Sequence, residues 1–208
     1  MISVSLLSMR DDLLKYINII NKENIDYIHL DMMDGIFVPN KSFSYEEVKL
    51  IVENINKPLD VHLMVEDIDN YIKDYYMYNT EYITFHYEAL KNLDPIKKVK
   101  SHGIKCGISI KPDTSIEVTY DLLDKIDLVL IMSVEPGKGG QTFINNSISK
   151  IKSLKKEIRK RKLDIKISVD GGINELTGIK SLKNGADILV IGSEIKTNIN
   201  IINTIKTM

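Results

Sequence analysis

Short apolar runs rich in β-branched residues recur along the whole chain, each followed by a charged, amphipathic segment of helical length. The runs are Ile2–Leu6, Tyr27–Leu30, Leu59–Leu63, Tyr82–Phe85, Lys105–Ile110, Leu128–Ile131, Ile165–Val169 and Ile188–Ile191. Strands of this kind need cover on both faces, and parallel neighbours need a long return connection; intervening helices supply both. Two of the helical segments carry start signals, because Ser44-Tyr45-Glu46-Glu47 and Thr114-Ser115-Ile116-Glu117 have capping-box spacing. Eight βα units in one chain point to an α/β fold of the (β/α)8 TIM-barrel type, with eight parallel strands each followed by a helix. An open doubly wound sheet would carry a Gly-rich turn after its first strand, where this chain has Leu7-Ser8-Met9-Arg10. At 208 residues the chain lies at the short end for such a barrel. It is therefore expected to be a single domain over 1–208 with few insertions.

Charge excludes some partners. A formal net charge of −1 gives no global field that draws in nucleic acid or anionic lipid, so neither is expected as a partner. The one basic cluster, Lys155-Lys156 with Arg159-Lys160-Arg161-Lys162, reads as a solvated face near the end of a helix, where positive charge suits the dipole. The single cysteine, Cys106, has no disulfide partner in the chain and sits in a buried-strand pattern, which fits a reducing compartment. No run of 18 apolar residues occurs, and the start Met1-Ile2-Ser3-Val4-Ser5 lacks the positive charge of an export signal. A cytoplasmic location is expected.

In a (β/α)8 barrel, chemistry collects at the C-terminal ends of the strands. The second run continues through His29-Leu30-Asp31, and alternation places the imidazole and the carboxylate on one face of a strand. The third run holds His62, the fourth ends at His86 and the seventh at Asp170-Gly171-Gly172. Two histidines and two aspartates can make a four-ligand site. Mixed N/O ligation suits Zn2+, Mn2+, Fe2+ or Co2+. The fourth histidine, His102, precedes Gly103 and reads as a residue at a helix end.

A second cluster suits an anion. Pro136-Gly137-Lys138-Gly139-Gly140-Gln141 follows the sixth run, Gly171-Gly172 the seventh and Gly192-Ser193 the eighth. Glycines let backbone N–H groups approach a phosphate closely, and barrels of this type commonly hold phosphate in the late loops. A small phosphorylated, oxygen-rich substrate fits. With a Lewis acid between two opposed carboxylates, the natural chemistry is proton abstraction beside a carbonyl, and acids on opposite faces of the substrate would invert the carbon.

At these residues the chain resembles the ribulose-phosphate 3-epimerase family, over essentially its whole length. The resemblance is carried by His29-Leu30-Asp31-Met32-Met33-Asp34-Gly35-Ile36-Phe37-Val38-Pro39-Asn40 and by Asp60-Val61-His62-Leu63-Met64-Val65. It continues in Ile83-Thr84-Phe85-His86-Tyr87-Glu88-Ala89, in Met132-Ser133-Val134-Glu135-Pro136 with the glycine loop after it, and in Val169-Asp170-Gly171-Gly172-Ile173. The resemblance implies one divalent metal ion per subunit, held by His29, Asp31, His62 and Asp170. It implies Asp31 as the acid-base group for one epimer and Asp170 for the other. Substrate contacts are implied for Ser5, His62, Gly137, Lys138, Gly139, Gly140, Gly171, Gly172, Gly192 and Ser193, with Met33, Met64 and Met132 lining the site. The implied reaction interconverts D-ribulose 5-phosphate and D-xylulose 5-phosphate through an ene-diolate, in the pentose phosphate pathway, by a homo-oligomer.

The chain departs from the family pattern in places. Val4 stands where Pro is frequent, Arg10 where Asp is usual, and Lys138 where an aromatic is often found; the side chain of Lys138 is expected to point to solvent. None of these removes an implied ligand or acid. The same resemblance leaves open a D-allulose 6-phosphate 3-epimerase, since one extra CHOH group changes discrimination by only a few kcal/mol. A related lyase or decarboxylase would carry Lys two residues after Asp31, where this chain has Met33. A binding protein without catalysis would have lost Asp31 or Asp170, and both are present. The segment 35–43 reads as a candidate lid because of its Gly, Pro and Asn content at a strand end.

Overall fold

The computed structural model describes residues 1–207. Eight parallel strands close into a barrel in sequence order: β1 Ile2–Ser5, β2 Tyr27–Met33, β3 Leu59–Met64, β4 Thr80–His86, β5 Lys105–Ile110, β6 Leu128–Met132, β7 Lys166–Asp170 and β8 Ile188–Ile191, with β8 pairing back to β1. Around them lie α1 Leu13–Ile20, α2 Tyr45–Asn54, α3 Ile68–Ile72, α4 Asp94–Ser101, α5 Asn146–Arg161, α6 Glu175–Asn184 and α7 Ile201–Lys206. None of the described helices is long and apolar enough to cross a membrane.

Each strand was expected, but β2 runs past Leu30 to Met33. His29 and Asp31 are therefore paired strand residues, with Met33 still in the ladder to β3. The capping box before α2 forms in full: the Glu47 amide donates to the Ser44 hydroxyl oxygen at 3.2 Å, and the Ser44 amide donates to the Glu47 carboxylate at 2.7 Å. The one expected at Thr114–Glu117 does not. There the crossover is a 3-10 helix, Ile116–Leu122, without a side-chain cap. The Thr114 hydroxyl donates instead to Glu88, and β-branched Ile116, Val118 and Thr119 weaken α-helix propensity in that short segment.

Alternation along the strands separates two interiors. Val4, Ile28, Leu30, Val61 and Leu63 point outward into the large core between strands and helices. Inside the barrel, Tyr82, Leu128, Leu130, Met132, Val134, Ile188 and Val190 form an apolar cluster, with the hydroxyls of Thr84, Ser109 and Ser168 buried on β4, β5 and β7. The wall from β1 to β3 buries Ser3, Ser5, His29, Asp31, Asp60 and His62. Such groups are tolerated only when they satisfy one another or a ligand.

Cys106, His102 and the basic cluster also have defined places in the fold. Cys106 is buried in β5, and burial pushes its thiol pKa up. His102 sits at the C-terminal end of α4, exposed, stacked on Tyr76 with ring centroids 3.6 Å apart. The basic cluster on α5 is not purely a solvated face, because Lys155 reaches the Asp187 carboxylate at 2.9 Å.

Candidate active site

Register builds the site. In the β2–β3 ladder His29 lies opposite Asp60 and Asp31 opposite His62, while β1 places Ser5 opposite His29. In the deeper layer, the Asp60 carboxylate accepts from the Ser3 hydroxyl at 2.8 Å and faces His29 Nδ1 at 2.8 Å. In the layer above, Asp31 Oδ2 accepts from the Ser5 hydroxyl at 2.8 Å, and Asp31 Oδ1 lies 3.1 Å from His62 Nδ1 and 3.3 Å from His29 Nε2. Asp170 arrives from β7 with Oδ2 3.9 Å from both of those ring nitrogens.

One donor atom from each of His29, Asp31, His62 and Asp170 therefore falls within 4.8 Å of the others. His29 Nε2 is buried and has no hydrogen-bond partner. An orphaned buried ring nitrogen is costly and asks for a ligand. Four donors about 2.1 Å from one tetrahedral centre stand about 3.4 Å apart, close to the spacings found here. The residues fit a divalent cation.

Electrostatics divides the two acids. Burial alone would raise the Asp31 carboxyl, but His29 and His62 outweigh it and hold Asp31 well below the usual carboxylate range. Asp170, buried with Asp31 beside it, is pushed up to about 6. Burial opposes charge on His29, yet Asp60 and Asp31 together raise its pKa well above normal. Two carboxylates at one spot are thus driven apart in protonation, the arrangement expected of an acid and a base.

Above them opens a cleft. Asp31, Asp170, Ser5, Met33, Met64 and Met132 line it, and its rim holds the stretch from Gly137 through Lys138 and Gly139 to Gly140, then Gly171, Gly172, Gly192 and Ser193. His29 and His62 are absent from this lining; both are fully buried. Lys138 is exposed. At Gly172, with φ +61°, a Cβ would stand 2.6 Å from the Phe143 backbone nitrogen, so only glycine lets that rim close against the neighbouring loop. Ser133 pins the strand end below it: its hydroxyl donates to the carbonyls of Asp170 at 2.8 Å and Gly171 at 2.7 Å.

The model of the ribulose-phosphate 3 epimerase family matches residues 1–196. This chain belongs to that family. A ribulose-phosphate 3-epimerase of Bacillus subtilis is 39% identical over 178 residues, covering 85% of this chain and 82% of its own. One of Methanocaldococcus jannaschii is 41% identical over 172 residues, covering 82% and 73%. Among solved structures, 3-hexulose-6-phosphate synthase of Salmonella typhimurium superposes with a TM-score of 0.67 at 14% identity, covering 99% of this chain and 96% of its own. N-(5'-phosphoribosyl)anthranilate isomerase of Pyrococcus furiosus gives 0.65 at 15%, covering 100% and 98%. At those identities the likeness is one of fold.

Some residues of this family member's site were not singled out from sequence. Asp60 repeats, with His62, the i, i+2 spacing of His29 and Asp31, and that echo was a usable signal for a paired carboxylate. Ser8 also lines the cleft, where its hydroxyl would lie 2.6 Å from a Cβ on Gly139. The candidate lid meets the glycine rim, since the Asn40 side-chain amide donates to the Gly137 carbonyl at 2.9 Å. Arg10, a departure from the family pattern, pairs with Glu47 through two bonds, 3.0 and 2.8 Å long, and does not line the cleft.

Proposed function

We propose that this chain interconverts D-ribulose 5-phosphate and D-xylulose 5-phosphate by two-acid proton transfer at C3, as a metal-dependent enzyme of the pentose phosphate pathway. The observation that carries this reading is the pairing of Asp31 and Asp170: two carboxylates at the base of one cleft, one held ionised and the other holding its proton up to about 6.

Asp31, oriented by the Ser5 hydroxyl, takes the C3 proton from one epimer and leaves an ene-diolate. Asp170 gives a proton to the opposite face of that carbon, and the roles exchange for the reverse reaction. A divalent cation held by His29, Asp31, His62 and Asp170 would stabilise the negative charge that develops on the substrate oxygens. Met33, Met64 and Met132 present apolar, polarizable walls that keep water from the reacting carbon. The glycine rim and Ser193 offer backbone N–H and hydroxyl donors to the phosphate.

Asp31→Asn and Asp170→Asn should each lower kcat by about 10²- to 10⁴-fold, while binding of the sugar phosphate, measured by calorimetry, persists. Product formed in D2O should carry deuterium at C3. Near wild-type turnover in either variant, or full retention of the substrate hydrogen, would sink the two-acid scheme.

A further inference from the structure

The loops after β2 and β6 touch, although β2 and β6 stand on opposite sides of the closed ring of strands. The Asn40 side-chain amide donates to the Gly137 carbonyl at 2.9 Å, and a Cβ on Gly137 would stand 3.1 Å from Val38 Cβ. The contact therefore crosses the barrel mouth, above the cleft that Asp31 and Asp170 line.

The two sides of this bridge are built differently. On the β2 side, Asp34 Oδ1 accepts from the Ile36 and Phe37 amides at 2.8 and 2.9 Å, and its Oδ2 accepts from the Glu66 amide, beyond β3, at 2.8 Å. Phe37 packs on buried His86 with ring centroids 4.7 Å apart, and the Lys111 ammonium lies 4.1 Å from the Phe37 ring centroid. Glu88 in turn accepts from the Lys111 amide at 2.8 Å. The segment is thus tied to the ends of β3, β4 and β5.

On the β6 side the loop is pinned at its base. The Ile144 amide donates to the Ser133 carbonyl at 2.7 Å, which closes residues 134–143 into a compact loop. Nearer the tip, the Gln141 side chain bonds within the loop, to the carbonyls of Glu135 at 2.6 Å and Lys138 at 2.9 Å. Among the described residues, Asn40 supplies the one hydrogen bond that reaches the stretch 137–140 from outside the loop.

We propose that Asn40 is a positioning residue: its amide latches the glycine loop across the barrel mouth, and the loop after β6 opens and closes against a fixed segment 35–43. The moving part is then the glycine loop and not the segment whose composition suggested a lid. The consequence for turnover rests on the sugar-phosphate reading of the cleft, in which this loop would carry part of the phosphate cradle.

Trypsin reports on both sides, because exposed Lys138 lies in one loop and exposed Lys41 in the other. Cleavage of the native full chain is followed at each site by mass spectrometry, relative to the same site in the urea-unfolded variant. Asn40→Ala removes the donor. Asn40→Asp keeps the shape, but an ionised carboxylate only accepts and would face a carbonyl. Both should speed cleavage after Lys138 by about 2- to 10-fold, the factor that one net hydrogen bond contributes, because cleavage tracks the open population. Cleavage after Lys41 should stay at the wild-type rate. With D-ribulose 5-phosphate, Asn40→Ala should raise KM and lower kcat much less.

Unchanged cleavage after Lys138 in both variants, or any acceleration after Lys41, overturns the latch. So does wild-type behaviour of Asn40→Asp beside a fast Asn40→Ala, which would mean that packing and not donation holds the loop. An unchanged KM in Asn40→Ala overturns the role in substrate binding. A wild-type protein that fails to turn over D-ribulose 5-phosphate counts against the sugar-phosphate reading, whereas the latch is judged by the trypsin rates.

Discussion

His29 Nδ1 lies 2.8 Å from Asp60 Oδ2, and this contact turns the ring's other nitrogen, Nε2, toward Asp31 and Asp170. Asp60 is buried, and its other partner is the Ser3 hydroxyl. Both neighbours donate, so an acceptor-only group is required between them. Asp60→Asn should weaken divalent metal binding by about 10- to 100-fold, the usual effect of removing a carboxylate behind a ligating histidine. Competition with a chelating dye measures it, and an unchanged metal affinity would show that Asp60 does not set the His29 tautomer.

Protons and a cation compete for the same donors. In the metal-free fold Asp170 titrates near 6 against an ordinary value of 3.8. Its folded pKa lies above the unfolded one, so its contribution to stability is complete below pH 3.8 and is lost as pH rises through about 6. The loss is on the order of 2–3 kcal/mol at most. His29, with its raised pKa, likewise holds a proton that a cation must displace. The gain in Tm on adding a fixed excess of Mn2+ or Zn2+ should therefore grow between about pH 5 and 7.5. Thermal unfolding with and without the ion at three pH values checks this, and a gain independent of pH would contradict it.

The barrel was legible in the sequence because each strand is covered on its outer side by helices, which forces apolar runs that stand out. Val61 and Leu63, both fully buried in the outer core, mark β3 although Asp60 and His62 interrupt it. The end of β2 was harder to place, since inward-facing His29 and Asp31 imitate a strand boundary when they are in fact the floor of the barrel. Asp60, Glu88 and His86 were not assigned roles from sequence for a related reason. Their partners come from other strands or, for Glu88, from the loop after β5, at separations of 31, 23 and 24 residues for His29, Lys111 and His62 respectively, and only the closed barrel brings them together. The Thr114 capping signal failed because the hydroxyl found a distant carboxylate, a competition that local spacing does not encode.

Lys150 ties the longest helix to the loop that supports Glu88. It is buried on α5, and its Nζ donates to the carbonyls of Lys111, Pro112 and Thr114 at 3.1, 2.5 and 2.6 Å. Burial lowers its pKa, but three carbonyl acceptors suit the charged ammonium. Lys150→Met keeps the apolar stem and removes every one of these bonds, leaving three carbonyls to find other donors. We expect a loss of about 2–3 kcal/mol in unfolding free energy, measured by urea denaturation. A change below about 0.5 kcal/mol, the range of ordinary surface substitutions, would show that the loop is held by other contacts.

Gly172 separates rim architecture from catalysis. Its φ of +61° is left-handed, and a Cβ there would meet the Phe143 amide nitrogen at 2.6 Å and the Gln141 carbonyl oxygen at 2.9 Å. Those neighbours are backbone and cannot swing aside. Gly172→Ala should therefore cost about 1–3 kcal/mol of stability from the strained conformation and push the rim outward. Asp31 and Asp170 lie below that rim, with the Asp170 backbone pinned by Ser133, so the acids should keep their geometry. On the proposed reading, in which the rim would hold the phosphate away from the reacting carbon, the expected signature is a raised KM for the sugar phosphate with kcat reduced much less. If kcat falls as far as kcat/KM while KM stays constant, the glycine rim contributes to the transition state and not to phosphate binding alone.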